Sequence, residues 1–349
     1  MISPEKILMV RFSSLGDVLL TTPFIRAVKK RFPEARADFL TKPAFSPLLK
    51  GNPHLDNVIE LPTPGKLIDL RGCLDAMKAE GGYDLLLDLH DTPRSWYVSV
   101  SGVGRRVGRA RRRRLKRFVL IRTGMDLYGP DPEPMAERYF TAIEGMYEPA
   151  PAPDKKGAEL FPDDSHRSEA RAALGGDYEY IVVAPSANWP TKRWLPEKFA
   201  EAGEKIAQKL SAKVVLAGAE EDRELARSVA SMINVEAVNL AGKLSIMGTA
   251  AVMERARAFV GNDTGLMHIA GALEVPGAAV FGPTTKHLGY FPYKSNIAVV
   301  EDTTLKCRPC TKHGQMRCPK KHFKCMKNIP VDTVVEKTLQ IVSSVNKKD

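Results

Sequence analysis

The sequence predicts an α/β protein built from two parallel-sheet series. Three observations carry this. Apolar runs of strand length alternate with stretches of helical apolar spacing in both halves of the chain. Each half opens the same way, with a strand-like run, a polar loop and a helix-like stretch: KILMV (6–10) before RFSSLGD (11–17), and YIVVA (180–184) before the loop 185–193. Between them, residues 148–167 begin EPAPAP and are proline-rich, charged and aperiodic, which marks a linker.

In the first half, residues 18–31 have helical spacing with Arg and Lys toward the end. Residues 37–40 and 58–61 read as strands, 66–79 as a helix, and YDLLLDL (83–89) as a buried strand ending in His90 and Asp91. Loops at the carboxyl ends of parallel strands are where α/β proteins hold ligands, so His90 and Asp91 are candidates for ligand binding, and ordinary loop polarity explains them equally. Asp17 stands at a helix start, where a carboxylate is stabilised and can cap. Residues 135–146 read as a helix. In the second half, helices are expected at 196–210 and 245–257, a strand at 213–216, and an acidic turn at 217–222 (AGAEED). A carboxylate after such a strand can accept hydrogen bonds from ribose hydroxyls or start a helix.

The stretch 259–283 (FVGNDTGLMHIAGALEVPGAAVFGP) compresses strand, tight loop, helix start and strand into one unit. Asn262 or Asp263 is expected to cap the helix. The N–H groups of a first helical turn, with the helix dipole, make an anion site. Thr264 and His268 lie four apart on one face. Two readings stand on spacing alone: a phosphate site, or a capped core helix with a satisfied histidine.

Charge narrows the partners. Fifty-two basic and 41 acidic residues leave +11 over 349 positions, which favours nucleic acid, acidic lipid or a phosphorylated sugar. Nine basic residues and no acidic one crowd 104–117 (GRRVGRARRRRLKR), where the plain reading is a solvated loop but so much uncompensated charge is uncommon in a mere connector. No apolar run approaches the ~18 residues of a membrane span. The start MISPEKILMV lacks the features of a signal peptide, so a cytoplasmic protein with at most peripheral membrane contact is expected. The absence of G-x-G-x-x-G and of G-x-x-x-x-G-K-[ST] disfavours a nicotinamide oxidoreductase and a P-loop kinase. No Asp-x-Asp closes a strand, which fits diphosphate binding without a divalent metal.

Three segments, GNDTGLMHIAGAL (261–273), RFSSLGDVLLTTP (11–23) and the lysine of TKRWLPEKF (191–199), together resemble glycosyltransferase family 9, the lipopolysaccharide heptosyltransferases. The resemblance spans essentially the whole chain. It implies the GT-B fold, two Rossmann-like domains facing across a cleft. The acceptor domain is expected at 1–160, the donor domain at 161–330, and a terminal helix at 331–349 packing back toward the first domain. It implies an inverting transfer of heptose from ADP-heptose onto the lipid A-linked inner core of lipopolysaccharide, at the cytoplasmic face of the inner membrane, with no cofactor, no metal and no nucleic acid. Asp17 falls on the family's catalytic base and Lys192 on the lysine that contacts the donor diphosphate. Ser13, Asn188, Asp222, Asp263, Thr264, Gly265 and His268 fall on donor-binding positions. Asn188 stands where relatives carry a small hydroxyl residue. Asp222, with Glu221 beside it, stands where the family normally has glutamate. The basic run is then expected to recruit an anionic acceptor.

Cys307, Cys310, Cys318 and Cys325 form a C-x2-C-x7-C-x6-C array, open to two readings: a zinc site, or reduced thiols in a basic loop. Similar tails occur in the second-heptose branch of the family. Two alternative functions remain at this point: another GT-B nucleotide-sugar transferase, or a non-catalytic protein binding nucleic acid or anionic lipid through the basic run.

Overall fold

The computed structural model describes residues 3–61 and 67–345. The start, at Lys66, of the helix predicted at 66–79 and the last four residues of the predicted terminal helix lie outside them. The chain divides into two α/β units, one of 1–113 with 135–161 and one of 114–134 with 162–349.

The first unit runs β1 (Lys6–Val10), α1 (Leu15–Leu19), α2 (Thr22–Arg31), β2 (Arg36–Thr41), β3 (Asn57–Glu60), α3 (Leu67–Ala79), β4 (Tyr83–Asp88), α4 (Pro93–Val100) and β5 (Gly104–Arg109). The chain then contributes α5 (Arg114–Thr123) to the second unit and returns with α6 (Met135–Arg138). The second unit continues α7 (Asp164–Leu174), β6 (Tyr180–Ala184), α8 (Pro196–Leu210), β7 (Lys213–Leu216), α9 (Arg223–Ala230), β8 (Ala237–Asn239), α10 (Ile246–Glu254), β9 (Phe259–Asn262), α11 (Gly265–Ala272), β10 (Gly277–Phe281), β11 (Ile297–Glu301), α12 (Lys324–Lys327) and α13 (Val331–Val345).

Among the described residues the sheet orders are β3-β2-β1-β4-β5 and β11-β10-β9-β6-β7-β8. Every pairing is parallel. Parallel sheets are covered on both faces, so their strands read as unbroken apolar runs rather than alternating ones. The runs KILMV, YIVVA and GAAVF obey this and are almost wholly buried. The strand order reverses at β1/β4 in one sheet and at β6/β9 in the other, and α/β sheets hold ligands at such points.

Several expectations need correction. The predicted helix 18–31 is split into α1 and α2. Pro23 has no N–H to continue the ladder and its ring would meet the Leu19 carbonyl. The Thr21 and Thr22 hydroxyls take up the freed Val18 and Leu19 carbonyls at 2.6 and 2.8 Å. The predicted helix 135–146 shrinks to α6 and a 3-10 turn at Tyr139–Ala142, with the Thr141 hydroxyl donating to the Arg138 carbonyl. The basic run is loop only at 110–113: its first part is the edge strand β5 and its last part is in α5.

The linker also departs from a free connector. Residues 154–159 are clamped to the first unit by Arg26, whose guanidinium donates to Asp154 at 2.8 Å, to Glu159 at 2.5 Å and to the Lys156 and Gly157 carbonyls. Helix α7 then begins inside the predicted linker, capped by Asp163 at the His166 N–H and closed by the left-handed Gly175. The segment Arg114–Pro134, expected in the acceptor domain, packs with the second unit instead. Its Pro130 carbonyl accepts from Lys286 at 2.7 Å, and Asp126 pairs with His287 at 3.3 Å. The terminal helix was expected to pack toward the first domain. The Val331, Val334, Val335 and Val342 face of α13 enters the core of the second unit, against α8, β10 and β11.

Gly277 pairs with Phe259 at the close approach of β10 to β9, and a Cβ there would collide with the Phe259 carbonyl oxygen. Gly277→Ala is therefore expected to lower unfolding stability by about 1–3 kcal/mol, read as an earlier urea midpoint.

Candidate active site

The loop after β6 and the end of β9 meet at the reversal of the second sheet. Asn262, the last residue of β9, is fully buried. Its amide donates to the Pro185 and Ser186 carbonyls at 2.9 and 3.2 Å, and its carbonyl accepts the Trp194 N–H at 3.0 Å. One side chain thereby fixes both ends of the loop that carries Asn188 and Lys192. Trp194 closes the loop from below, stacked edge-on against Phe199 at 5.1 Å.

This geometry delivers Lys192 to Asp263. Their Nζ and Oδ2 atoms lie 2.6 Å apart, with side chains only 14% and 6% exposed. The same Asp263 oxygen accepts the Thr284 hydroxyl at 2.6 Å, and Thr284 is buried. So neither Asn262 nor Asp263 caps α11, contrary to the sequence expectation: one amide staples a loop and one carboxylate holds a lysine. The N-cap of α11 is Thr264, in extended backbone, and no side chain caps that helix. Thr264 Oγ1 is buried without a hydrogen-bond partner among the described residues. An orphaned hydroxyl of this kind costs on the order of 1–3 kcal/mol until something satisfies it. Gly265 opens the helix and His268 lies buried in it.

A strap from the cysteine segment covers the Lys192 loop. The Thr191 hydroxyl donates to the Gln315 carbonyl at 2.9 Å and accepts the Gln315 N–H at 2.8 Å. Gly314, at φ +101°, sits so close that a Cβ would strike Trp189 and Lys192. The strap is rooted by Arg308, which is nearly fully buried and donates to Glu301 at 2.6 Å and to the Thr284 and Asp302 carbonyls at 2.8 and 2.7 Å.

The other candidates of the second unit stand apart from this pair. Asn188 is exposed in the loop. The Asp222 carboxylate folds back to accept the Ala219 N–H at 3.0 Å and so closes its own turn. All four clustered cysteines are free thiols, and Cys307 Sγ lies 3.8 Å from His322 Nε2. Burial first, then the neighbouring thiols, push Cys310 up to about 11 and Cys325 up to about 12. Among the described residues no three His, Cys, Asp or Glu side chains form a metal-holding group.

In the first unit, Asp17 lies in the first turn of α1, after β1 at the sheet's reversal. Its carboxylate is gripped from both sides. Arg11 pairs with Oδ1 at 2.5 Å, and the Ser14 hydroxyl donates to Oδ2 at 2.7 Å. Arg11 is buried and held in turn by the Leu89 carbonyl at 2.6 Å and the Ser13 carbonyl at 2.9 Å, and it lies over the Tyr139 ring. Ser13 therefore serves the Arg11 grip through its backbone, on the opposite unit from the rest of the expected donor set. Arg11, Tyr139 and Thr284 escaped the sequence reading. Arg11 opens the RFSSLGD segment but nothing in its spacing pairs it with Asp17, and a threonine after Gly282-Pro283 carries no motif; only the fold brings each to a carboxylate.

His90 and Asp91 follow β4 across the same reversal. The Asp91 carboxylate accepts the Trp96 indole N–H at 2.8 Å, and the His90 ring accepts the Phe12 N–H at 3.2 Å. Burial first, then the Arg11 and Arg112 charges, push the His90 imidazole down to about 3. The unfolded chain takes up a proton here near pH 6.5 that the folded chain refuses until about pH 3. This contribution to stability is complete above pH 6.5 and is lost as pH falls through that window. His90→Asn is expected to make the acid limb of the stability curve shallower there, read from urea midpoints against pH.

The family model of glycosyltransferase family 9 (heptosyltransferase) matches residues 76–321. Lipopolysaccharide heptosyltransferase 3 of Escherichia coli K12 is 26% identical over 309 residues, covering 81% of this chain and 83% of that protein. The solved family 9 glycosyltransferase of Veillonella parvula superposes with a TM-score of 0.78 at 20% identity, covering 97% of each chain. The E. coli ADP-heptose LPS heptosyltransferase II structure gives 0.75 at 22% identity, covering 98% of this chain and 99% of that one. These likenesses make the fold GT-B-like, with a parallel sheet in each unit. The chain belongs to glycosyltransferase family 9, the heptosyltransferases, and is a glycosyltransferase.

Proposed function

We propose that the enzyme moves a heptose from ADP-heptose onto the lipid A-linked inner core of lipopolysaccharide, with inversion at the anomeric carbon, at the cytoplasmic face of the inner membrane. The observation that carries the donor half is the Lys192–Asp263–Thr284 cluster at the reversal of the second sheet, beside the uncapped start of α11. Membership of the family and the resemblance of the E. coli ADP-heptose enzyme support the choice of sugar and nucleotide.

The second unit supplies the electrostatics. A diphosphate at the start of α11 meets the positive end of a helix dipole and the unpartnered Thr264 hydroxyl. Lys192 is aimed by Asp263 and offsets the negative charge that grows on the departing phosphate. Asp263, held by Thr284, keeps acceptor capacity for a sugar hydroxyl. Gly265 and His268 belong to the same helix, Asn188 adds an amide donor from the loop, and the acidic turn at Glu221 and Asp222 offers carboxylate oxygens to the ribose hydroxyls.

The first unit supplies the base. An acceptor hydroxyl is a poor nucleophile until its proton leaves, and Asp17 takes it as the new C–O bond forms and ADP departs. Arg11 and Ser14 lock the carboxylate's orientation, which a base needs before proton affinity matters. The buried, neutral His90 cannot serve as a proton reservoir near pH 7.

Calorimetric titration separates these roles. Wild type is expected to bind ADP in preference to UDP and GDP. Lys192→Ala should weaken ADP binding at least about tenfold, as loss of a charge-assisted contact implies. Asp17→Asn should bind ADP as wild type does while its turnover falls by at least about a hundredfold. Loss of folding in Asp17→Asn would instead assign the residue to capping α1. Thr284→Val, which frees Asp263, should lower turnover more than Thr284→Ser. Equal activity in the two variants would remove Thr284 from the positioning of the pair.

A further inference from the structure

The Arg114–Pro134 excursion is anchored from one side and bare on the other. Leu120 and Tyr128 are buried, Tyr128 lies against the His287 ring, and Lys116 sits over Tyr128 at 5.9 Å. On the outer side of α5, Leu115 and Phe118 are 72% and 65% exposed, and they sit at i, i+3 spacing on one helix face with Arg122 a turn beyond. Met125 and Leu127 continue the apolar surface past the helix end. The ten residues of α5 include four basic ones, Arg114, Lys116, Arg117 and Arg122, and no acidic one. Water-facing leucine and phenylalanine on a helix whose charges are all positive is a pattern with few stable uses.

We propose that α5 and the turn after it dock on an anionic lipid bilayer, with Leu115 and Phe118 entering the boundary of headgroups and acyl chains and Arg117 and Arg122 meeting lipid phosphates. The chemistry selects this occupant. A nucleic acid would meet the arginines but gain nothing from Leu115, Met125 and Leu127. A second copy of the chain would set two four-cation helices against each other. A bilayer with acidic headgroups takes both features at once, apolar residues below and cations above. The surface deepens the function proposed above by naming the face that meets the membrane, and its test involves no sugar or nucleotide.

The test is co-sedimentation of the full chain with phosphatidylcholine vesicles, with and without phosphatidylglycerol, at low and high salt. Wild type is expected to bind only vesicles containing phosphatidylglycerol. Arg117→Gln with Arg122→Gln should weaken binding about five-fold per charge and flatten its salt dependence. Leu115→Ser with Phe118→Ser should weaken binding about tenfold or more while keeping the salt dependence. Circular dichroism checks folding of each variant. Phe118→Trp adds an independent reading, since the emission of the introduced indole should shift to the blue on anionic vesicles. Wild-type failure to bind, equal binding by the serine variant, or an unshifted emission from the Phe118→Trp variant would overturn the proposal. So would a serine variant that changes oligomeric state by sedimentation velocity without changing vesicle binding. ADP titration of the same variants tests the donor assignment separately, so either reading can fall alone.

Discussion

The Asn262 side chain is the constraint on which the donor half of the molecule depends. A parallel sheet brings the ends of β6 and β9 side by side but leaves the loops beyond them free to go either way. A fully buried amide with three backbone partners removes that freedom. Losing it would leave two carbonyls and one N–H unsatisfied, each a costly state inside a protein. Everything chemically interesting nearby follows from the fixed loop. Lys192 comes within reach of Asp263, Thr284 can share the same carboxylate oxygen, and the start of α11 is left without a side-chain cap. Two adjacent residues thus divide the labour, Asn262 holding backbone and Asp263 holding charge.

The first unit solves a similar problem with charge instead of an amide. Arg11 leaves the end of β1, is buried, and reaches the Leu89 carbonyl beyond β4 before it grips Asp17. A buried guanidinium is tolerable only with partners on most of its donors, and here carbonyls and a carboxylate provide them. The price of burying that charge is met by order around one carboxylate. Arg26 repeats the device at the 154–159 clamp, and Arg308 repeats it under the strap.

Much of this was legible in the sequence. Unbroken apolar runs announced parallel strands, and the strand-loop-helix openings located both loops that matter. Asp17 and Lys192 stand out only through the family resemblance of their segments, since spacing alone leaves a helix cap and one more surface lysine, whereas the 261–273 segment also carries its own strand-loop-helix pattern. The capping assignment failed for a physical reason. Local spacing treats Asn262 and Asp263 as neighbours of a helix, whereas their partners are the 185–194 loop, Lys192 and Thr284, distant in sequence. The basic run is likewise divided by partners distant in sequence. Arg105, Arg106 and Arg109 are engaged inside the first unit, on Asp84, on Tyr147, and on Trp96 with the buried Asp88. A count of charges cannot tell which arginines have such partners, and Arg105 and Arg109 keep theirs while still exposed. No periodicity signalled that 114–134 belongs with residues beyond 162, because that membership is a property of long-range packing alone.

That excursion bears on how the protein is made. The chain passes from one unit to the other at 113/114, at 134/135 and again at 161/162. During synthesis the first unit is complete once residue 161 has emerged, and domains generally fold as they leave the ribosome. The 114–134 segment must then wait as a loop projecting from a finished fold. Its Tyr128 lacks the His287 ring and its Pro130 carbonyl lacks Lys286 until turns from the last third of the sequence arrive. The second unit is therefore a clasp that closes on a piece made long before it. Cleaving the chain at the linker would not yield two self-sufficient halves, because one would carry off a part of the other.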